Sequence, residues 1–145
     1  MIAAAILVTV AVAGCGGSSS EVKAPPLERA QGFADAFVRR LVTGRWDAIE
    51  EDVAAPITRE TRNFQDSIHR DGIRTVRGQG TLRHDCPAAP TTSAGRDCFV
   101  YRLSGRQVVP IRGAVELEAR YRLWVDYEDG RWQVVNYDYD LIPTG

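Results

Sequence analysis

The residues able to do chemistry are few. Three cysteines, Cys15, Cys86 and Cys98, stand in a chain of 145 residues, and an odd count leaves one thiol without an internal partner. Cys86 and Cys98 flank PAAPTTSAGRD, a Pro, Thr, Ser and Gly stretch that reads as a loop between strands. In an oxidising compartment these two form the natural disulfide, and closing a loop of this size contributes ~3 kcal/mol in the chain-entropy picture. A metal site built from His84, Asp85 and Cys86 is the rival reading. Adjacent strand residues point to opposite faces, so the three converge only through a sharp bend, and neither a metal nor another cofactor is expected. The remaining polar candidates are Asp138 and Asp140 with Asn136 between strand-like apolar residues, Asp35 beside a helical apolar stripe, and His69 late in a helix. A general base has to come within ~2.6 to 3.2 Å of its proton, so each matters only if it turns into a pocket.

Cys15 closes a different kind of segment. Ile2 to Ala13 is an unbroken run of apolar residues and Thr, shorter than the ~20 residues a helix needs to cross a bilayer, and it suits the apolar region of a secretory signal. At its end Val12, Ala13, Gly14 and Cys15 resemble the lipobox of bacterial lipoproteins, where small residues admit the signal peptidase and the cysteine thiol carries the diacylglycerol. The resemblance implies that residues 1–14 are removed and that Cys15 becomes the lipidated first residue. The membrane is then a partner through that anchor, and the domain lies outside the cytoplasm. An ordinary signal peptide cut nearby, with a free thiol left over, is the alternative. Residues 16–24 are Gly/Ser-rich and then polar, a flexible tether, and residues 26–145 form one domain. A formal net charge of −1 gives no reason to expect nucleic acid or an anionic membrane surface as the partner.

Two periodicities organise the domain. From Pro26, Leu27, Ala30, Phe33, Ala34, Phe37, Val38 and Leu41 recur at three and four, one face of a helix that Glu28 and Arg39–Arg40 suit electrostatically and Gly44 ends. A short second helix is expected with Trp46, Ile49 and Val53 inward, and a third from Thr58 to Asp71-Gly72 with Phe64 and Ile68 one turn apart. After Gly72 the period becomes two, and strands are expected at about 73–85, 97–104, 112–127 and 131–141. Gly78 and Gly80 mark a bend or a close backbone approach in the first of these.

The hairpin at Glu128-Asp129-Gly130 sets which residues face inward. A two-residue turn at Asp129-Gly130 would put Tyr121 opposite Asp138, Leu123 opposite Asn136 and Ala119 opposite Asp140, burying polar groups. A three-residue loop with Gly130 as a left-handed bulge pairs Leu123 with Val135, Tyr121 with Tyr137, Ala119 with Tyr139 and Leu117 with Leu141. On the outer face it pairs Arg120 with Asp138 and Arg122 with Asn136. Burying unpaired carboxylates is costly, so the three-residue loop is the expected one.

Helices followed by long antiparallel strands define an α+β domain, with N-terminal helices on the concave face of a curved sheet of four strands or slightly more. The phrase ERAQGFADAFVRRLVTGRWDAIEEDV, and the closing LWVDYEDGRWQVVNYDYDL, resemble the nuclear transport factor two-like superfamily over about residues 27–141. That resemblance implies a cone-shaped domain with a space between the long helix and the sheet. It leaves function open, because the superfamily holds isomerases, hydrolases, cyclases and many non-catalytic modules.

Three functions are expected as candidates. Catalysis as a small hydrolase or isomerase needs an inward carboxylate, and Asp138, Asp140 and Asn136 turn inward only in the disfavoured register; no catalytic residue is assigned. Binding a small apolar ligand needs a cavity, which Phe37, Trp46, Tyr121, Tyr137 and Tyr139 would line, unless they simply fill the core. An interaction role, as a homodimer or with another envelope protein, would use Trp124, Trp132 and Val134 clustered on the outer sheet face. The expected function is a non-catalytic binding or accessory module of the cell envelope.

Overall fold

The computed structural model describes residues 26–86 and 97–143. Cys15, the signal-like segment, the tether and the loop between the paired cysteines therefore lie outside the described residues. The order is α1 (Leu27–Thr43), three single turns of 3-10 helix (Trp46–Ala48, Glu50–Asp52, Ala55–Ile57), α2 (Thr58–Arg70), β1 (Ile73–Arg83), β2 (Asp97–Val109), β3 (Gly113–Glu128) and β4 (Arg131–Ile142). The strands form one open antiparallel sheet in the order β1-β2-β3-β4, with the helices on its concave face. The α+β class read from the periodicities is the observed one.

In α1 the apolar stripe is buried through Ala30, Ala34, Phe37, Val38 and Leu41, whereas Leu27 at its start is exposed. Arg40 suits the negative end of the helix and also fixes the first two 3-10 turns, donating to the Ala48 carbonyl and pairing with Asp52, both at 2.8 Å. Glycine is required at Gly44 because a Cβ there would sit 2.6 Å from the Arg40 carbonyl oxygen. The last-turn carbonyls of a helix lack internal partners. Here Gln65 and His69 of α2 both donate to the Leu41 carbonyl, at 3.0 and 2.9 Å. His69 is thus half-buried and structural, with its proton on Nε2 because a carbonyl only accepts.

The second helix expected over Trp46 to Val53 is not α-helical. Ile49 and Val53 do face inward and are buried, but the chain beyond them runs along the sheet edge. Val53 bridges Val134 in parallel, and the Ala54 amide donates to the Val134 carbonyl at 2.9 Å. A continuous α-helix would have directed those groups along its own axis and left the β4 edge uncovered.

The β3–β4 hairpin departs from the expected three-residue loop. Glu128 pairs with Arg131, so the turn has two residues, Asp129 and Gly130, with φ of 52° and 79°, the double left-handed geometry that matches strand twist. A bulge then shifts the register between Trp124 and Val125: Val125 pairs with Val134, whereas Trp124 pairs with Asn136, leaving Val135 over. Beyond it Leu123 faces Tyr137, Tyr121 faces Tyr139 and Ala119 faces Leu141, while Arg122 faces Asp138 and Arg120 faces Asp140. The bulge lies at the point where Val134 accepts the Ala54 amide. It resolves the conflict that makes a two-residue turn look costly, because the acids return to the outer face after one extra residue.

A second irregularity lies in β1. Arg77 pairs with Arg102 and Thr81 with Val100, so Gly78, Gln79 and Gly80 together oppose Tyr101. Gly78 has φ +73°, and a Cβ on Gly80 would collide with the Tyr101 ring. The expected bend is therefore a wide bulge over an aromatic ring. From α1, Gln31 donates to the Gly80 carbonyl at 2.8 Å, and Asp35 accepts the Gly80 amide at 3.0 Å. Both backbone groups of Gly80 thus find partners on the helix.

Candidate functional site

Of the two expectations for the inner face, a lined cavity or a packed core, the residues named for it pack as core. Phe37 and Tyr121 are wholly buried, and Tyr137 and Tyr139 are half-buried. Phe64 lies among them, stacked at 5.5 Å on Tyr121 and 4.8 Å on Tyr137, and edge-on to Tyr139 at 5.0 Å. Trp46 packs at the margin of the same core. Tyr121, Tyr137 and Tyr139 are therefore brought together as an aromatic stack around Phe64, whereas Phe37 packs on Phe33 within the core. Burial pushes the hydroxyls of Tyr121, Tyr137 and Tyr139 up from their ordinary pKa of 10.0, with Tyr137 and Glu60 adding smaller effects on the first two and Asp71 on the third.

The outer aromatic cluster does not form. Because the turn has two residues, Trp132 and Val134 point inward: Val134 is fully buried and Trp132 stacks on Phe33 at 6.5 Å and against Tyr127 at 5.2 Å. Trp124 keeps to the outer face opposite Asn136 and Cys98, and only 5% of it is exposed. The carboxylates follow the same parity. Asp138 pairs with Arg122 and Asp140 with Arg120 on the outer face, the latter at 3.0 Å. Asp35 is the acid that reaches inward, and it accepts the Tyr101 hydroxyl as well as the Gly80 amide. Cys86 and Cys98 form the expected disulfide, with Cα atoms 6.4 Å apart, so Cys86 is not available as a metal ligand. Among the described residues no group of three His, Cys, Asp or Glu side chains is placed to hold a metal ion.

A recess lies on the outer face. Two cross-strand rows meet there, Arg77-Arg102-Arg120-Asp140 and Thr81-Val100-Arg122-Asp138. Without the two acids, which lie beyond it, and together with Gln79 of the bulge, these rows line a hollow of about 410 Å³ that ends beside Arg83, Asp85 and the disulfide. Arg77 pairs with Glu118 at 3.4 Å, and Arg122 reaches both Asp138 and Asp140. Arg83 forks onto Asp85 and, by that hydrogen bond first, holds its carboxyl below the ordinary 3.8. The side chain of Arg102, between two other arginines, makes no hydrogen bond or ion pair among the described residues.

Sequence reading missed this row. Arg77, Arg102 and Arg120 each sit at an outward position of a strand, which the alternation shows. Their alignment depends on the β1 bulge and on the β2–β3 register, neither of which has a sequence signal as clear as Asp-Gly.

No family model matches the chain, and no curated protein matches it. Among solved structures it is similar to the intermembrane space region of the chloroplast protein ARC6. The two share 10% identity over 82% of this chain and 99% of that one, with a TM-score of 0.44.

Proposed function

We propose that this chain is a lipid-anchored protein of the bacterial cell envelope. Its folded domain, of nuclear transport factor two-like architecture, is a non-catalytic binding or accessory module that works through its outer sheet face. The observation that carries the reading is the state of the inner face. A catalytic or carrier domain of this shape needs space there and a group free to act. Here Phe64 and three tyrosines occupy the space, and the inward carboxylate, Asp35, already accepts two hydrogen bonds. The alternative, a small hydrolase or isomerase, would have to use Asp138 or Asp140, and both face outward into arginines.

The Cys86–Cys98 bond supports an extracytoplasmic location, since disulfides persist where the compartment is oxidising. Cys15 and the small residues before it supply the anchor. Replacing Cys15 by Ala is expected to move the protein from the membrane fraction to a soluble or uncleaved form. Unchanged detergent partitioning of that variant would overturn the anchor.

A further inference from the structure

We infer that the outer-face hollow is a binding site for a phosphate-bearing anion, held by Arg102 with Arg77 and Arg120 on either side. Three arginines lie directly opposite one another across three adjacent strands. Like charges at directly opposed positions destabilise a sheet, and without a ligand only the outer two members have acidic partners, Glu118 and Asp140. The central guanidinium, Arg102, has its donors unmatched among the described residues.

The surroundings suit a compact oxyanion. Arginine presents a planar fork of N–H donors that matches phosphate oxygens two at a time. Thr81 and Gln79, from the neighbouring row and the bulge, add neutral donors on the β1 side of the hollow. Val100 separates Thr81 from Arg122 in the second row, giving the recess a short apolar element beside its cationic one. At about 410 Å³ it holds a phosphate with a small attached group. The repulsion along the arginine row is relieved when the anion binds, so binding and fold stability are linked. This inference is independent of lipidation at Cys15.

One chemistry has two sources here, a free phosphate compound and a phospholipid headgroup, and thermal unfolding of the detergent-solubilised full chain separates them. The probes are inorganic pyrophosphate, compared with chloride at matched ionic strength, and micelles doped with phosphatidylglycerol, compared with neutral micelles. The expected result is a rise in Tm of at least about 2 °C with one probe over its control. Arg102→Gln should abolish the rise, and Arg112→Gln, at the exposed β2–β3 tip away from the hollow, should retain it. Binding measured directly should weaken about tenfold or more in Arg102→Gln. A rise with pyrophosphate assigns a soluble ligand, and a rise only with phosphatidylglycerol assigns a headgroup. Equal effects of probe and control, or a response undiminished in an Arg102→Gln protein whose far-UV spectrum is native, would overturn the site.

Discussion

The Tyr101 hydroxyl donates a 2.8 Å hydrogen bond to Asp35 Oδ1, and the same oxygen accepts the Gly80 amide at 3.0 Å. One carboxylate on α1 therefore satisfies both a nearly buried phenol and the backbone of the β1 bulge lying over it. Removing the acid leaves two donors in a poorly hydrated place, and an orphaned buried donor costs about 1 to 3 kcal/mol. Asp35→Ala should lower stability by about 2 kcal/mol or more in urea unfolding. Tyr101→Phe, which removes donor and demand together, should cost about 1 kcal/mol. Equal losses would show that the two groups are not linked through this bond.

The two glycines of the bulge should respond for different reasons. Gly78→Ala meets open space but keeps a left-handed φ of +73°, a strain of about 1 to 2 kcal/mol. Gly80→Ala drives a methyl group into the Tyr101 ring, overpacking that costs about 1 to 3 kcal/mol. Only the second should be relieved when combined with Tyr101→Ala. Simple additivity of that pair in a double-mutant cycle would contradict the contact.

The β2–β3 hairpin extends past its neighbours and turns at Pro110-Ile111, with the Arg112 amide donating to the Val109 carbonyl. Ile111 is fully exposed at φ 77°, a position in such a turn that favours Gly or Asn. Ile111→Gly should stabilise the domain by about 1 kcal/mol, because a β-branched residue there is strained and buries nothing. A loss of stability would show that Ile111 contributes contacts.

Alkaline stability is set by the tyrosines. Burial first, then the bond to Asp35, raises the Tyr101 pKa far above its ordinary 10.0, and burial raises Tyr121, Tyr137 and Tyr139 in the same direction. The unfolded chain releases these protons near pH 10 and the folded one does not. The unfolded state therefore binds fewer protons above pH 10, and stability, intact below that pH, falls as pH rises. Phenolate absorbance should lag and then rise together with loss of near-UV ellipticity. Ordinary titration of all five tyrosines in a folded protein would contradict it.

How far these features can be read from sequence depends on whether local or long-range contacts set them. Helices α1 and α2, with four long strands after them, are legible because each buries one face and its period shows it. The face of Tyr121, Tyr137 and Tyr139 is the expected one, although reached by different pairs. Trp132 and Val134 lie on the opposite face from the expected one, because the Val135 bulge is stabilised by Ala54 reaching the Val134 carbonyl from far along the chain, and alternation within β4 carries no trace of that bond. For the same reason the 3-10 segment has the spacing of a helix without being one, and the arginine row is visible in sequence only as three separate outward residues.

The most direct measurement of the envelope reading is the mass of the mature N-terminus of the protein isolated from membranes of the cell that produces it. The expected result is a chain that begins at Cys15 and carries a diacylglycerol-modified thiol, with Cys86 and Cys98 oxidised to each other. A mature chain that begins elsewhere, or one with Cys15 present as an unmodified thiol, would contradict it.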